Sequence, residues 1–185
     1  MKNTNWKLVA IIAAIAIAFI VLIIGIGVST EAKAYSMEEQ IHESQSGIDV
    51  QLKKRHDVIV QLVQVVEQFS NHEQAIIDSV TEARAQLNAG NATEALNTLN
   101  IVVENYPEIT SGEQYKHLMV EISTCEQQIS NYRDNYNAQV KTYRKFVRNP
   151  INSMILSFRG YEIIDADYLE FDSEDLEVIT DMFGN

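Results

Sequence analysis

Residues 48–57 read IDVQLKKRHD, and the spacing of their apolar side chains indicates an α-helix. Ile48 and Leu52 are four positions apart, and Ile59 follows on the same helical face. That face also passes Arg55, a charged residue that a purely apolar packing seam would exclude. The stretch therefore predicts a helix that packs against other helices and carries charge on its packing side.

The same three- and four-residue spacing of apolar side chains continues on both sides of this stretch. Turn signals divide it: a capping box at Ser70 and Glu73, a loop at Gly90, and prolines at 107 and 150. Four helices with one apolar stripe each can bury those stripes together, so we predict an all-α fold with an antiparallel four-helix bundle. The predicted helices cover about 37–69, 71–88, 92–106 and 112–148.

An uncharged, strongly apolar segment of 21 residues, 8–28, precedes the bundle. At about 1.5 Å per residue a helix of this length spans the roughly 30 Å hydrocarbon layer of a bilayer. Trp6 and Tyr35 bracket the segment, and Lys2 and Lys7 place more positive charge before it than after it. We therefore predict a single-pass protein of the cytoplasmic membrane, with its N-terminus inside and the bundle outside the cytoplasm.

A cleaved signal peptide is the alternative reading of this segment. Ala32-Lys33-Ala34 fits the small-x-small cleavage pattern and would release a product that starts at Tyr35. The apolar region of a cleavable signal usually has about 7 to 15 residues, so the length favours an uncleaved signal-anchor.

Small residues at Ala10, Ala14 and Ala18 form a stripe along the apolar segment. Such a stripe would let two of these helices approach closely and form a homo-oligomer. The other reading is that alanine is simply common in membrane helices.

Charge and cysteine content limit the function classes. The net charge of -12 argues against a nucleic-acid partner, because binding to phosphates needs a basic face. Nine acidic residues and no Lys or Arg lie in 161–185, so we treat this part as a separate acidic tail with a short amphipathic helix that starts near Ser173. The tail either folds back onto the bundle or docks a partner. The predicted domains are thus a cytoplasmic N-terminus and anchor (1–34), a bundle (35–160) and the tail (161–185).

Several short motifs resemble one known family. They are IDVQLKKRHDVI at 48–59, TEAR at 81–84, ENYP at 104–107, CEQQI at 125–129 and RDNYN at 133–137, with HE at 72–73. Their order and spacing are similar to those of the LemA family over about 40–160. The resemblance implies a bacterial, membrane-anchored four-helix bundle outside the cytoplasm, in a family whose biochemical activity is largely unassigned.

Charged and polar side chains on the predicted packing faces form a structural polar seam. In an antiparallel bundle the first and last helices run past each other, so we expect Arg55 to pair with Glu126, and Asp49 with Arg133 or the Tyr136 hydroxyl. The predicted seam comprises Asp49, Arg55, His56, Glu73, Glu126, Arg133 and Tyr136. We interpret it as a lock that fixes the register of the helices.

Basic residues near the end of the last predicted helix would lie close to the bilayer if that helix returns toward it. Anionic headgroups attract such residues, although Lys and Arg also suit the C-terminal end of a solvated helix. The predicted headgroup contacts are Lys141, Arg144, Lys145, Arg148 and Arg159.

No catalytic or cofactor-binding motif stands out. The sequence contains no HExxH, CxxC pair, phosphate-binding Gly loop or GxSxG elbow, and the ExxH at 39–42 has no second copy, as a di-iron bundle requires. We therefore predict a non-enzymatic scaffold or adaptor with no cofactor, whose partners are the bilayer and a protein that the sequence does not identify. The alternative is a sensory or signalling input module of the cell envelope.

Overall fold

The computed structural model describes residues 2–70 and 73–169. This part of the chain consists of helices joined by turns and of a C-terminal segment without helix or strand, 161–169, which we call the extended segment. No β-strand occurs among the described residues, so the predicted all-α class is confirmed. The helices are α1 (Lys2–Glu67), α2 (Gln74–Asn88), α3 (Ala92–Val103), α4 (Pro107–Ser111), α5 (Glu113–Val147) and α6 (Pro150–Arg159).

Helix α1 contains both the apolar segment and the predicted first bundle helix. It continues without a boundary at residue 37, where the sequence analysis starts the first bundle helix. The large apolar side chains of 8–28 are exposed, whereas later positions such as Ile59 and Leu62 are buried. Among the described residues, α1 is the one helix that is long and apolar enough to cross a membrane.

The described chain divides into two compact units. The first unit contains α1 up to Glu43 together with 136–168, which include the end of α5, α6 and the extended segment that follows it. The second unit contains 44–135 and Leu169, and thus the remainder of α1, α2, α3, α4 and most of α5.

Apolar side chains from five helices form the core of the second unit. Most apolar residues that recur at three- and four-residue spacing are buried there, but Leu52 on α1 is exposed. The fully buried side chains of this core include Ile59, Leu62, Val66, Ile76, Ala83, Leu96, Leu99, Ile109 and Ile122.

The turns before and after α2 agree only in part with the turn signals in the sequence. The chain leaves α1 after Glu67 and enters α2 at Gln74, near the predicted break. The N-cap residue is Glu73, without a side-chain capping hydrogen bond, so the predicted capping box that starts at Ser70 is wrong. After α2, Gly90 has a φ of 87°, a conformation that glycine adopts without steric cost.

Helix α6 is absent from the sequence-based prediction, although the signals that start and end it are clear. The Asn149 side chain accepts hydrogen bonds from the backbone N–H groups of Ile151 (3.0 Å) and Asn152 (3.4 Å), and Pro150 occupies the first helical position. The helix ends at Gly160, whose φ of 74° fits a left-handed C-terminal cap.

Candidate functional site

A buried ion pair joins α1 to α5 within the second unit. Arg55 Nε lies 2.5 Å from Glu126 Oε1, and the two side chains are only 7% and 11% exposed. Arg55 Nη2 also donates a hydrogen bond of 2.8 Å to Thr93 Oγ1 on α3. Within the described chain, Nε and Oε1 meet as an ion pair without an aligned hydrogen bond. The structure thus brings together the two charges that the sequence predicts to meet, and adds a third helix to the contact.

The other charged residues of the predicted polar seam on α1, and Glu73 at the N-cap of α2, lie nearer to solvent. Asp49 is exposed, and it lies about 100° around the helix from the buried Ile48. His56 is half-buried with Nδ1 3.5 Å from the neighbouring Asp57, and Glu73 is exposed. These three residues therefore do not extend the buried lock around Arg55.

The predicted partners of Asp49 on α5 are more enclosed than Asp49 itself. Arg133 is half-buried and Tyr136 is buried. The Asp49 side chain makes neither a hydrogen bond nor an ion pair with another described residue, so its predicted pairing with Arg133 or Tyr136 is not among the observed contacts.

A glycine lets α1 and α5 approach closely in the second unit. A Cβ atom built at Gly47 would lie closer than 3.0 Å to three ring atoms of Tyr132. The ring therefore packs directly against the α1 backbone, in space that any larger residue would need.

We expect Gly47→Ala to lower the melting temperature of the purified protein. Alanine favours a helix by about 1 kcal/mol over glycine, but overpacking costs about 1–3 kcal/mol, and here the added methyl meets the Tyr132 ring. Gly25→Ala is the matched control, because a Cβ at Gly25 has nothing within 4 Å. A melting temperature that rises equally in both variants would contradict close packing at Gly47.

A buried cluster of hydroxyl and carboxyl groups holds the extended segment in the first unit. The Tyr161 hydroxyl donates to Glu38 Oε1, and the Tyr143 hydroxyl lies 3.1 Å from both that oxygen and the Tyr161 hydroxyl. The Ile164 backbone N–H donates to the Tyr143 hydroxyl at 3.1 Å. The segment after α6 is therefore tied to α1 and α5 through side chains and backbone alike.

Burial of these two phenols affects their ionisation. Burial, then the hydrogen bond to Glu38, raises the pKa of Tyr161 above its ordinary value of 10.0. Burial likewise raises the pKa of Tyr143. The folded protein disfavours the phenolate, whereas the unfolded chain does not. The buried neutral phenols therefore contribute fully to the free energy of unfolding below the ordinary pKa of tyrosine, and this contribution is lost as the pH rises beyond that pKa.

We expect the free energy of unfolding to fall as the pH rises above about 10, where an unfolded tyrosine ionises. Tyr161→Phe removes one of the groups responsible and is expected to reduce this slope. Tyr35→Phe is the control, since Tyr35 is exposed. Equal slopes for the wild type and the Tyr161 variant, measured by urea unfolding at several pH values, would contradict the role of this cluster.

Two of the five predicted headgroup residues form ion pairs within the first unit. Arg144 Nη2 lies 2.7 Å from Asp167 Oδ1 and 3.8 Å from Asp165 Oδ1. Arg159 contacts Glu31 Oε2 through Nη2 at 2.5 Å and through Nε at 2.7 Å. Arg144 and Arg159, which are predicted from the sequence to contact lipid headgroups, thus pair with carboxylates of the protein itself.

The remaining three basic residues, Lys141, Lys145 and Arg148, are exposed. Their side chains make no hydrogen bond or ion pair with another described residue. They are thus the members of the predicted set that are available to an external anion, and their contact with lipid headgroups stays a prediction.

Sites for metal or thiol chemistry are lacking in the described part of the chain. Within it, no group of three His, Cys, Asp or Glu side chains could hold a metal ion. Glu39 and His42 of the ExxH pattern are both exposed. Cys125 is buried, and burial raises the pKa of its thiol, which disfavours the reactive thiolate.

Comparison with known proteins identifies the family. The family model described as "LemA family" matches residues 44–180, which is most of the chain. This chain belongs to the LemA family. The match includes the Arg55–Glu126 pair, the close contact at Gly47 and all of 136–168, the C-terminal part of the first unit, whereas Glu31 and Glu38 on α1 precede it.

Two similar proteins carry the name magnetosome protein. Magnetosome protein MamQ 2 of Paramagnetospirillum magneticum is 38% identical to this LemA family chain over 69 residues, which are 37% of the chain and 25% of that protein. Magnetosome protein MamQ of Magnetospirillum gryphiswaldense is 37% identical over 54 residues, 29% of the chain and 20% of that protein. The LemA family chain thus spans about a quarter of the length of these relatives.

Proposed function

We propose that this LemA family protein is a non-enzymatic, membrane-anchored scaffold or adaptor that presents a helical bundle at the outer face of the cytoplasmic membrane. The observation that carries the proposal is the division of α1 between two environments. Its apolar segment exposes large side chains around the whole helix, which suits lipid and not water. The same helix then supplies Ile59 and Leu62 to a protein core.

Contacts at the end of the apolar segment support an anchor that stays attached. Glu31 pairs with Arg159, and Lys33 Nζ lies 5.3 Å from the centre of the Phe146 ring. Ala34, the last residue of the cleavage pattern, is fully buried. Cleavage after Ala34 would remove all three contacts from the first unit, so the intact mass of the protein from membranes is expected to include residues 1–34.

The order of contacts supports the antiparallel bundle that is part of the proposal. In the second unit, Gly47 of α1 contacts Tyr132, and Arg55, further along α1, contacts the earlier residue Glu126 of α5. An advance along one helix thus corresponds to a retreat along the other, as between the first and last helices of an up-and-down bundle.

Features of the described chain support a non-enzymatic role. Buried ionisable groups such as Arg55 and Glu126 are engaged with each other, and the hydroxyls of Tyr143 and Tyr161 are engaged with Glu38. Active sites instead tend to hold titratable groups in a cleft where they can reach a substrate. The names of the similar proteins mention the magnetosome and no reaction.

A sensory input module is the second candidate function. The feature that favours it is the continuity of α1 from the apolar segment into the second unit, since an unbroken helix can pass small displacements between the two. A small molecule that binds the purified protein and raises its melting temperature would support this candidate.

Site-specific photocrosslinking in intact cells separates the two candidates. The exposed apolar residues Ile101 on α3 and Val120 on α5 are replaced, one at a time, by a photoreactive phenylalanine analogue, and the exposed Glu104 serves as a polar control. A scaffold is expected to give a reproducible protein adduct from an apolar position that the control position lacks. Absence of protein adducts at both apolar positions, together with a stabilising small molecule, would favour the sensor and contradict the scaffold.

A further inference from the structure

Helix α6 has an apolar face that no described residue covers. Ile151, Met154 and Phe158 are spaced three and four apart, so they share one side of the helix, and they are 66%, 69% and 93% exposed. The opposite side packs against the protein through Leu156, which is fully buried. The helix is therefore amphipathic, with its outer face more apolar than an ordinary solvated surface.

The C-terminal end of α6 lies beside the end of the apolar segment within the first unit. Arg159 pairs with Glu31, and its Cδ atom would lie 3.4 Å from a Cβ at Gly27. Phe158 is the adjacent residue. Its exposed ring is thus placed near the level at which the apolar segment gives way to polar residues.

The end of α5, which leads into α6, lies at a similar level. Phe146 lines a shallow groove together with residues of α1 that belong to the last turns of the apolar segment and the turns after it. Those residues are Leu22, Gly25, Ile26, Ser29, Thr30 and Lys33. The turn between α5 and α6 therefore also adjoins the end of the apolar segment.

We infer that the apolar face of α6 inserts into the interfacial layer of the same bilayer that α1 spans. An amphipathic helix binds there by burying its apolar face about 5–10 Å deep, at the boundary of headgroups and acyl chains. The exposed Lys145 and Arg148, just before α6, supply the positive charge that anionic headgroups attract. The occupant of the face is thus phospholipid, in continuity with the lipid that surrounds 8–28.

This inference rests on the proposed anchoring function and adds a second membrane contact to it. A lone span leaves the first unit free to tilt relative to the surface, whereas a spanning helix and an interfacial helix together fix its height and direction. The α6 face would therefore position the protein at the bilayer as well as increase its affinity for lipid.

Tryptophan fluorescence in nanodiscs of phosphatidylcholine and phosphatidylglycerol tests the inference with the full chain. Trp6 is the only tryptophan of the wild type and reports the anchor. In a Trp6→Phe background, Phe158→Trp places a reporter on the apolar face, and Ser157→Trp places a matched reporter at the adjacent exposed position, about 100° around the helix from Phe158. Each reporter is measured with lipid brominated on the acyl chains and, separately, with aqueous acrylamide.

We expect brominated lipid to quench most of the emission of the tryptophan at 158 and to leave that at 157 much less affected, with acrylamide giving the reverse order. Strong acrylamide quenching at 158 without lipid quenching would overturn the inference. Shielding from both quenchers would also overturn it, because a second copy of the chain would then cover α6. The wild-type Trp6 signal distinguishes membrane anchoring by α1 from lipid contact by α6. If brominated lipid quenches Trp6 but not the tryptophan at 158, the proposed anchor is supported and only the lipid contact of α6 is contradicted.

Discussion

Replacement of Arg55 by methionine is expected to lower the free energy of unfolding by about 3–5 kcal/mol, because it removes the guanidinium that lies against the largely buried carboxylate of Glu126. The variant also removes the hydrogen bond to Thr93 and so leaves that hydroxyl without its observed donor. Equilibrium unfolding in urea of the detergent-solubilised protein, followed by circular dichroism, measures the loss.

Two further variants compare the stability cost of losing the buried ion pair with that of losing an exposed one. Arg84→Met removes an exposed ion pair of similar length, 2.5 Å to Glu67, and is expected to cost less than about 1 kcal/mol. The double variant Arg55→Met with Glu126→Met should recover most of the stability, since replacing both buried charges by apolar groups is often neutral. If Arg55→Met costs no more than Arg84→Met, the polar lock is not a structural determinant.

Replacement of Glu38 by alanine is expected to release the extended segment that follows α6. Both buried phenols, Tyr143 and Tyr161, lose their carboxylate acceptor, and a buried polar group without a partner costs roughly 1–3 kcal/mol. The segment has no helix of its own, so its attachment depends strongly on this cluster. We expect a lower melting temperature and faster proteolysis within 161–169 than in the wild type.

Glu39→Ala is the matched control for this experiment, because Glu39 is the adjacent residue and is exposed. It removes the same charge from α1 without touching the phenols. Equal protease sensitivity of the two variants would mean that other contacts hold the segment, such as the ion pairs of Arg144 with Asp165 and Asp167 and the burial of Ala166.

Periodicity of apolar residues predicts the helical body because burial repeats with the helical turn. Ile59, Leu62 and Ile122 are buried as their spacing indicates. The pairing of Arg55 with Glu126 is also accessible from sequence, since a charge on a packing face requires an opposite charge on the facing helix. By contrast, Asp49 is exposed, because it lies beside the buried face of α1 and not on it.

Other features depend on contacts that no local pattern reveals. Tyr161 follows the basic part of the chain and opens a run of acidic residues, so the sequence analysis places it in a separate tail, whereas its hydroxyl donates to Glu38, 123 positions earlier. Thr93 has no pattern that marks it as a partner of Arg55. The possible helix from Ser173 lies outside the described residues, so that prediction is not tested.

The periodicity of apolar residues does not predict the short helix α6. Its start signal, Asn149-Pro150, is equally the stop signal of the preceding helix, and Gly160 alone does not indicate that a helix ends there. Its apolar residues include exposed ones such as Phe158, and a pattern alone does not distinguish a face that meets a protein core from one that meets solvent or lipid.

The central claim is that an uncleaved apolar helix holds the protein in the membrane and places the bundle outside the cytoplasm. Ile101→Cys provides an exposed thiol in a Cys125→Ala background, and a membrane-impermeant maleimide is added to intact cells before a carbonate wash of the membranes. The account predicts a labelled, full-length protein that stays in the washed membranes. Labelling that requires permeabilised cells, or a labelled product that starts at Tyr35 and is released by the wash, would contradict it.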